Sequence, residues 1–167
     1  MNRKNFLLRT ATAGAGLLAG PLVSLGRATA DTEPYKAELV KEFVGAGHNR
    51  LEKVKELLEE FPNLIYARQD WGNGDFEEGI EGAGHVGNKE IARYLIEKGA
   101  RPNIFVLTML GETAIVTAIL EKYPSLINSL GAHGYTLLHH ATRGGEDARP
   151  LLEYVQSKGL KEMRIKI

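Results

Sequence analysis

The feature that most constrains the fold is a Gly-Ala-Gly-His motif, which occurs at residues 45–48 and again 37 residues later at 82–85. Each copy precedes a segment whose apolar residues recur at the spacing of one helical face. Apolar positions coincide at the same offset, Val54 with Ile91 and Leu58 with Leu95. Self-similarity with a period of about 20–50 residues indicates a stacked array, because one small helical unit cannot bury its apolar face alone. We therefore expect a repeat architecture.

The second copy opens the most regular stretch of the chain, Gly82–Asn103. Its spacing predicts a helix that carries Ile91, Leu95 and Ile96 on one side. Gly99 follows at a position that favours a residue with positive φ, so we expect the helix to end there. By the same reasoning, the glycines of the two Gly-Ala-Gly-His motifs are expected to lie at helix ends.

Four copies of the unit can be traced in the sequence. The first predicts helices at Lys36–Val44 and Arg50–Phe61, the third begins at Leu110-Gly111, and the fourth begins at Gly134. Equivalent glycines are 24 residues apart between the second and third copies, against 34 between the third and fourth. The shorter interval lacks about one β-hairpin, so we expect Ile104–Leu110 to serve directly as the first helix of the third copy.

Two stretches carry a resemblance to a known family. GNKEIARYLIEKGARPN matches the second half of the ankyrin-repeat pattern, and GAHGYTLLHHATRGG matches its first half, with Leu137 in place of the usual proline. Asp75–Glu78 departs from the T-P-L-H core. The chain thus resembles bacterial exported ankyrin-repeat proteins over residues 36–160. The resemblance implies an all-α solenoid of about four helix-turn-helix units, with one inter-repeat hairpin missing.

The first thirty residues predict an export signal. A basic start precedes a Gly/Ala/Leu-rich stretch, and Ala28-Thr29-Ala30 supplies a small-residue cleavage pattern. We expect cleavage after Ala30 and a periplasmic or extracellular location, by the twin-arginine or the Sec route. The remaining chain divides into a short lead (31–35), the repeat domain (36–160) and a C-terminal cap or tail (161–167).

Charge and cysteine content limit the partners. Residues 1–30 carry four basic and no acidic residues, so 17 basic and 21 acidic residues remain after them, a net charge of −4. This balance argues against a nucleic-acid-binding surface. The chain has no cysteine, which excludes disulfides and a lipoprotein anchor. We expect a monomer without a stable membrane anchor after signal cleavage.

Three sequence patterns resemble those of functional sites, and none of them predicts a site. Gly82–Gly87 fits G-x-G-x-x-G but follows an acidic segment instead of a buried strand, so repeat punctuation explains it better than nucleotide binding. Asn73, Asp75 and Glu77 alternate like calcium ligands but lack the glycine and glutamate that a calcium loop requires, which favours an exposed acidic turn.

The histidines are the third pattern. None forms an H-x-x-x-H pair, and His139 occupies the position where ankyrin repeats use a structural histidine. We expect His48 and His85 to be structural residues near helix ends. No serine lies in a G-x-S-x-G turn, so we expect no catalytic residues, no metal and no cofactor.

The sequence therefore favours a non-catalytic module that binds a protein partner through hairpin tips and the concave face of the stack. The only tryptophan, Trp71, lies at a predicted hairpin tip, either as an interface anchor or packed onto its neighbours. The alternative is a small hydrolase or a metal- or ligand-binding protein that uses the acidic Asp70–Glu78 turn with a nearby histidine. The expected contact positions are Asp70, Trp71, Asn73, Asp75, His133 and Tyr135.

Overall fold

The structure is a computed structural model that describes residues 33–167, so the predicted export signal lies outside the described residues. The described part is mostly helical, in agreement with the expected all-α class. It contains eight α-helices and one two-stranded antiparallel sheet, with the bounds α1 Ala37–Gly47, α2 Leu51–Glu60, β1 Arg68–Asp70, β2 Phe76–Glu78, α3 Gly79–Val86, α4 Lys89–Glu97, α5 Ile104–Leu110, α6 Thr113–Lys122, α7 Leu137–Gly144 and α8 Arg149–Ser157.

The helices pack as consecutive pairs. Helix α1 packs on α2, α3 on α4, α5 on α6 and α7 on α8, while the first helices of the pairs contact each other in the order α1, α3, α5, α7. The expected apolar face of α4 is buried at Ile91 and Leu95, and Ile96 is partly buried beside it. Full burial of one such side chain stabilises the fold by about 1.5–3 kcal/mol.

The predicted helix at Ile104–Leu110 is confirmed. Helix α5 begins directly after Asn103, whose side-chain Oδ1 accepts hydrogen bonds from the backbone N–H groups of Phe105 and Val106, both at 3.1 Å. This is the side-chain cap that a helix N-terminus requires. Residues 98–103 contain no strand, and Gly99 has a φ of +99°, as the helix-end pattern predicts.

The glycines of the first Gly-Ala-Gly-His motif lie in the last turn of α1, which ends at Gly47 as expected. Gly82 and Gly84 of the second motif lie inside α3, which corrects the expectation that they mark a helix end. A Cβ atom added to Gly47 would lie 2.2 Å from the backbone oxygen of Gly79, and one added to Gly82 would lie 2.8 Å from His48 Nδ1. Glycine weakens a helix interior by about 1 kcal/mol relative to alanine. Here it allows α1, the start of α3 and the His48 ring to approach each other closely.

The β1–β2 hairpin lies beside α3, and residues 162–165 lie beside the segment that precedes α7. Strands β1 and β2 pair with Gln69 opposite Glu77, and the turn between them contains Asn73 with a φ of +55°. Residues 162–165 run antiparallel to residues 134–136 through an isolated bridge between Tyr135 and Arg164. Both segments therefore lie beside residues 132–134, the short 3₁₀ turn that precedes α7.

Within residues 33–167, none of the helices has the length and apolar character needed to cross a bilayer.

Candidate metal centre

Four side chains from separate parts of the chain converge beside the hairpin: His48, Glu77, His85 and His133. One nitrogen or oxygen atom from each lies within 4.8 Å of the corresponding atom of every other. The two Gly-Ala-Gly-His copies supply His48 after α1 and His85 in the last turn of α3, and these helices pack on each other. Strand β2 supplies Glu77, and the 3₁₀ turn before α7 supplies His133.

Glu77 lies at the middle of this group. It is fully buried at 0 % exposure because it points inward from β2, while its neighbour Phe76 points outward. Its Oε2 accepts a hydrogen bond of 2.8 Å from the indole Nε1 of Trp71. Its Oε1 is 3.1 Å from His85 Nδ1 and 3.5 Å from the Nε2 atoms of both His48 and His133.

The close approach between Glu77 Oε1 and His85 Nδ1 is not a hydrogen bond. The two atoms are 3.1 Å apart, but they are not aligned as donor and acceptor, so both are buried without a hydrogen-bond partner in the described part of the chain. A buried polar atom without a partner costs about 1–3 kcal/mol, and a carboxylate oxygen costs more. The group therefore brings one carboxylate oxygen and three ring nitrogens together, and two of these atoms are buried without a hydrogen-bond partner in residues 33–167.

The distances from Glu77 Oε1 are close to those in a tetrahedral metal site, while the three histidine nitrogens lie within 4.8 Å of one another. Zinc binds histidine nitrogen and carboxylate oxygen at about 2.0–2.2 Å, which places neighbouring ligand atoms about 3.3–3.5 Å apart. The three distances from Glu77 Oε1 to the histidine nitrogens, 3.1, 3.5 and 3.5 Å, fall near this range. A set of three imidazoles and one carboxylate suits zinc and its neighbours among the divalent transition metals.

The outer nitrogens of two histidines are already occupied. His133 Nδ1 lies 2.7 Å from Asp75 Oδ2, and His48 Nδ1 lies 3.2 Å from the backbone oxygen of Val44. Both acceptors require a proton on Nδ1, so each imidazole presents an unprotonated Nε2 to Glu77 when it is neutral. Pairing of an outer imidazole N–H with a carboxylate or carbonyl is the usual second shell of a histidine metal ligand.

Asp75 is fixed by the same contact. Burial acts to raise the pKa of its carboxyl group, but the hydrogen bonds from the His133 backbone N–H and ring outweigh burial and hold the pKa below its usual value. Asp75 Oδ1 accepts the backbone N–H of His133 at 2.7 Å while Oδ2 contacts the ring. The carboxylate therefore stays charged at neutral pH and orients His133 from two sides.

Four of the six expected contact residues surround Glu77. Trp71, Asp75, His133 and Tyr135 come together there, and the Tyr135 ring lies 5.2 Å from that of His85. Asp70 and Asn73 remain at the exposed hairpin turn, where Asp70 Oδ1 accepts the backbone N–H of Gly72 at 2.8 Å. Trp71 is 39 % exposed and also donates to Glu77, so it lies partly at the surface and partly in the site.

The expectation of an exposed acidic turn is wrong for its last residues, because Glu77 is fully buried and only 14 % of the Asp75 side chain is exposed. Strand pairing and the packing of α1 and α3 enclose this end of the hairpin. Glu77, His48 and His85 were not predicted as ligands. The one available signal was the recurrence of the Gly-Ala-Gly-His motif in the sequence, which supplies both His48 and His85.

His139 and His140 belong to a different environment. His139 Nε2 donates to the backbone oxygen of His85 at 2.8 Å, and His140 Nδ1 donates to that of Thr136 at 2.8 Å. The structural role predicted for His139 is confirmed by this bond. Burial lowers the pKa of His139 and lowers that of His140 from 6.5 to about 3. Both rings are therefore neutral, hydrogen-bonded parts of the packing around α7.

Comparison of the sequence with models of known protein families and with curated proteins returns no match.

Proposed function

We propose that this protein binds one divalent transition-metal ion, most suitably Zn²⁺, through His48 Nε2, Glu77 Oε1, His85 Nδ1 and His133 Nε2. The observation that carries the proposal is Glu77 Oε1, which is buried, accepts no hydrogen bond from residues 33–167, and lies 3.1–3.5 Å from three histidine nitrogens. A cation between these atoms would satisfy the buried oxygen and the buried nitrogen together.

An ion pair without metal explains the group less well. A protonated histidine would satisfy Glu77 Oε1 only if its N–H pointed at that oxygen, and the nearest ring nitrogen is not so aligned. When His48 and His133 are neutral, their single ring proton is engaged on the outer nitrogen, by Val44 and Asp75, and Nε2 faces Glu77 with a lone pair. Lone pairs directed towards a carboxylate repel it, whereas a metal ion attracts all four atoms.

The donor set favours a binding or structural role over catalysis. Four protein ligands complete the coordination of Zn²⁺, whereas catalytic zinc sites keep a position open for water or substrate. Because the ligands come from α1, the hairpin, α3 and the turn before α7, a bound ion would link these elements. The absence of enzymatic activity stays a prediction, and this chemistry is consistent with it.

The scaffold of this site is, on our proposal, an ankyrin-type solenoid. It is supported by the row of contacts α1–α3–α5–α7 and by the outer helix that pairs with each of these. The short turns Pro62–Tyr66 and Pro124–Asn128 also follow α2 and α6 at equivalent places, with nearly identical backbone angles at the residue before each proline. Export and the absence of nucleic-acid binding stay predictions from the sequence.

A protein partner is the second candidate function. It is favoured by the exposed aromatic surface of the hairpin, where Trp71 is 39 % and Phe76 is 47 % exposed. Exposed aromatic residues are frequent interface anchors. Phe76 is the cleaner probe, since Trp71 also bonds to Glu77. We expect Phe76→Ala to weaken capture of a partner without changing metal content, and equal capture by both proteins would remove this candidate.

The test of the metal proposal is a titration of the chelator-treated protein with Zn²⁺ and Co²⁺. We expect one ion per chain, a change in the fluorescence of the single tryptophan, and thermal stabilisation that grows with free metal. His85→Ala should abolish stoichiometric binding. His140→Asn is the matched control, because an asparagine amide can replace the Nδ1 donor to Thr136, and it should bind normally. No binding by the wild type, or equal binding by His85→Ala, would overturn the proposal.

A further inference from the structure

Residues Glu162–Ile165, here called the strap, lie against the segment that carries the ligand His133. The backbone N–H of Thr136 donates to Met163 O at 3.1 Å, and the N–H of Ile165 donates to Gly134 O at 2.9 Å. The hydroxyl of Thr136 donates to Glu162 O at 2.6 Å. The approach is close enough that a Cβ atom on Gly134 would lie only 1.9 Å from Ile165 O. The contact therefore depends on glycine at that position.

Arg164 makes the contact that reaches the ligand itself. Its Nε donates to the backbone oxygen of His133 at 2.7 Å, and its guanidinium lies 5.2 Å from the centre of the Tyr135 ring. The Tyr135 ring in turn lies 5.2 Å from that of His85, a second ligand. The strap thus contacts the proposed ligand His133 and Tyr135, whose ring lies beside the proposed ligand His85.

His133 needs such support because its backbone conformation is unfavourable. Its φ of +59° lies in the left-handed region, which costs a non-glycine residue about 1–3 kcal/mol. Asp75 engages its N–H and Nδ1, and Arg164 engages its carbonyl oxygen. Every polar group of His133 other than Nε2 is therefore held, and Nε2 is the atom 3.5 Å from Glu77 Oε1.

We propose that the strap positions His133 for metal binding, with Arg164 as the positioning residue, so that metal affinity and strap docking are coupled. This inference rests on the proposed metal site. Loss of an outer contact to a histidine ligand typically lowers metal affinity by about 10–100-fold. Thermodynamic reciprocity then requires bound metal to stabilise the docked strap by the same factor.

The first experiment compares Zn²⁺ affinities by chelator competition for the wild type, Arg164→Ala, a chain ending after Lys161, and Lys166→Ala. Lys166→Ala removes the same charge two residues away and is the matched control. We expect affinity to fall about 10–100-fold in Arg164→Ala and in the shortened chain, and to stay unchanged in Lys166→Ala. With Co²⁺, loss of His133 from the donor set should weaken the visible bands of the four-coordinate ion, which a general loss of stability would not do.

The second experiment needs no variant. Amide hydrogen exchange at Ile165 and Thr136 reports strap docking, and Zn²⁺ should slow exchange at Ile165 by about the factor by which strap removal weakens binding. Unchanged affinity in both strap variants, or unchanged exchange at Ile165, would overturn the inference while leaving the metal site intact. No Zn²⁺ binding by the wild type would overturn the metal site and the inference together.

Discussion

The site around Glu77 and the first turn of α7 both contain histidines, but the hydrogen bonding of the ring nitrogens differs between the two regions. In α7, His139 and His140 each direct a ring N–H at a backbone oxygen 2.8 Å away. Around Glu77, His48 and His133 direct an N–H outward and leave the other nitrogen facing a buried carboxylate. The two regions are adjacent, since His139 binds the backbone oxygen of His85.

The difference shows how to separate structural histidines from candidate ligands in a protein of this kind. Both regions are largely buried, so burial alone does not distinguish them. What differs is the balance of donors and acceptors. The ring N–H groups of His139 and His140 donate to backbone oxygens. In the Glu77 site, by contrast, Glu77 Oε1 and His85 Nδ1 have no hydrogen-bond partner among the described residues. Substitutions around Glu77 should therefore change Zn²⁺ affinity, whereas substitutions of the α7 histidines should change folding stability.

The largest effect is expected from Glu77→Gln, which tests the comparison most directly. Removal of the anionic ligand should lower Zn²⁺ affinity by more than about 100-fold, beyond the loss typical of an outer contact. The same change should stabilise the metal-free protein by about 1–3 kcal/mol at pH 8, because it replaces a buried carboxylate whose Oε1 has no hydrogen-bond partner with a neutral amide. Urea unfolding in chelator and Zn²⁺ titration measure the two effects.

The control for this prediction is Glu81→Gln. Glu81 is also poorly exposed, but its carboxylate accepts hydrogen bonds from Asn103 and the Glu78 backbone. Its substitution should destabilise the protein with and without metal. If Glu77→Gln instead destabilises the metal-free protein to the same extent, Glu77 is an ion-pair partner of the histidines and the proposed contrast between the two regions fails.

Much of the scaffold could be predicted from the sequence, because helix periodicity and caps act over a few neighbouring residues. The repeat offset located α5 at Ile104–Leu110, and the helix-stop pattern located Gly99. The glycines of the second Gly-Ala-Gly-His motif lie inside a helix instead of at its end, since a glycine that ends a helix and one that admits a neighbouring element look alike in sequence. Only the contacts of Gly47 with Gly79 and of Gly82 with His48 separate the two cases.

The site was harder to predict because its geometry is set by the packing of elements that are distant in sequence. Its proposed ligands extend from residue 48 to residue 133, and no two of them have the spacing of a metal motif. Strand β2 is three residues long, too short for an alternating pattern to reveal that Glu77 points inward. The sequence does indicate Asp75 and His133, but as contact positions for a protein partner at the surface.

The next largest effect is a pH-dependent loss of folding stability caused by His140 in α7. The pKa of His140 is about 3 in the folded protein against 6.5 ordinarily, because burial disfavours its charged form. The unfolded chain therefore binds the proton first, and the stability present above pH 6.5 is lost as the pH falls towards 3. Between pH 7.5 and pH 4 this loss amounts to about 3 kcal/mol.

His140→Asn should remove this part of the acid sensitivity, because it keeps the bond to Thr136 without a titratable ring. The measurement is the free energy of unfolding in urea at the two pH values, with chelator present to exclude metal effects. A variant that loses as much stability as the wild type on acidification would show that His140 is not the buried neutral ring that distinguishes this region.

A smaller effect is expected from Asp75→Asn, which weakens the orientation of His133 without touching a ligand atom. The amide keeps one acceptor oxygen where the carboxylate offers two, to the backbone N–H and to Nδ1 of His133. Zn²⁺ affinity should fall by about 10–100-fold. Asp147→Asn, which changes an exposed carboxylate bound to Lys89, should leave the affinity unchanged. Equal affinities for the two variants would contradict the outer-contact role of Asp75.

The smallest effect should follow Trp71→Phe, which removes the N–H donor to Glu77 Oε2 and keeps an aromatic ring at the hairpin. The substitution removes one hydrogen bond and leaves Glu77 Oε1, the proposed ligand atom, unchanged. We therefore expect the metal-loaded protein to lose only about 1 kcal/mol of stability. In a Glu77→Gln background the same substitution should have a smaller effect, since the acceptor is then uncharged. An undiminished effect there would assign Trp71 to packing of the hairpin instead of to the Glu77 site.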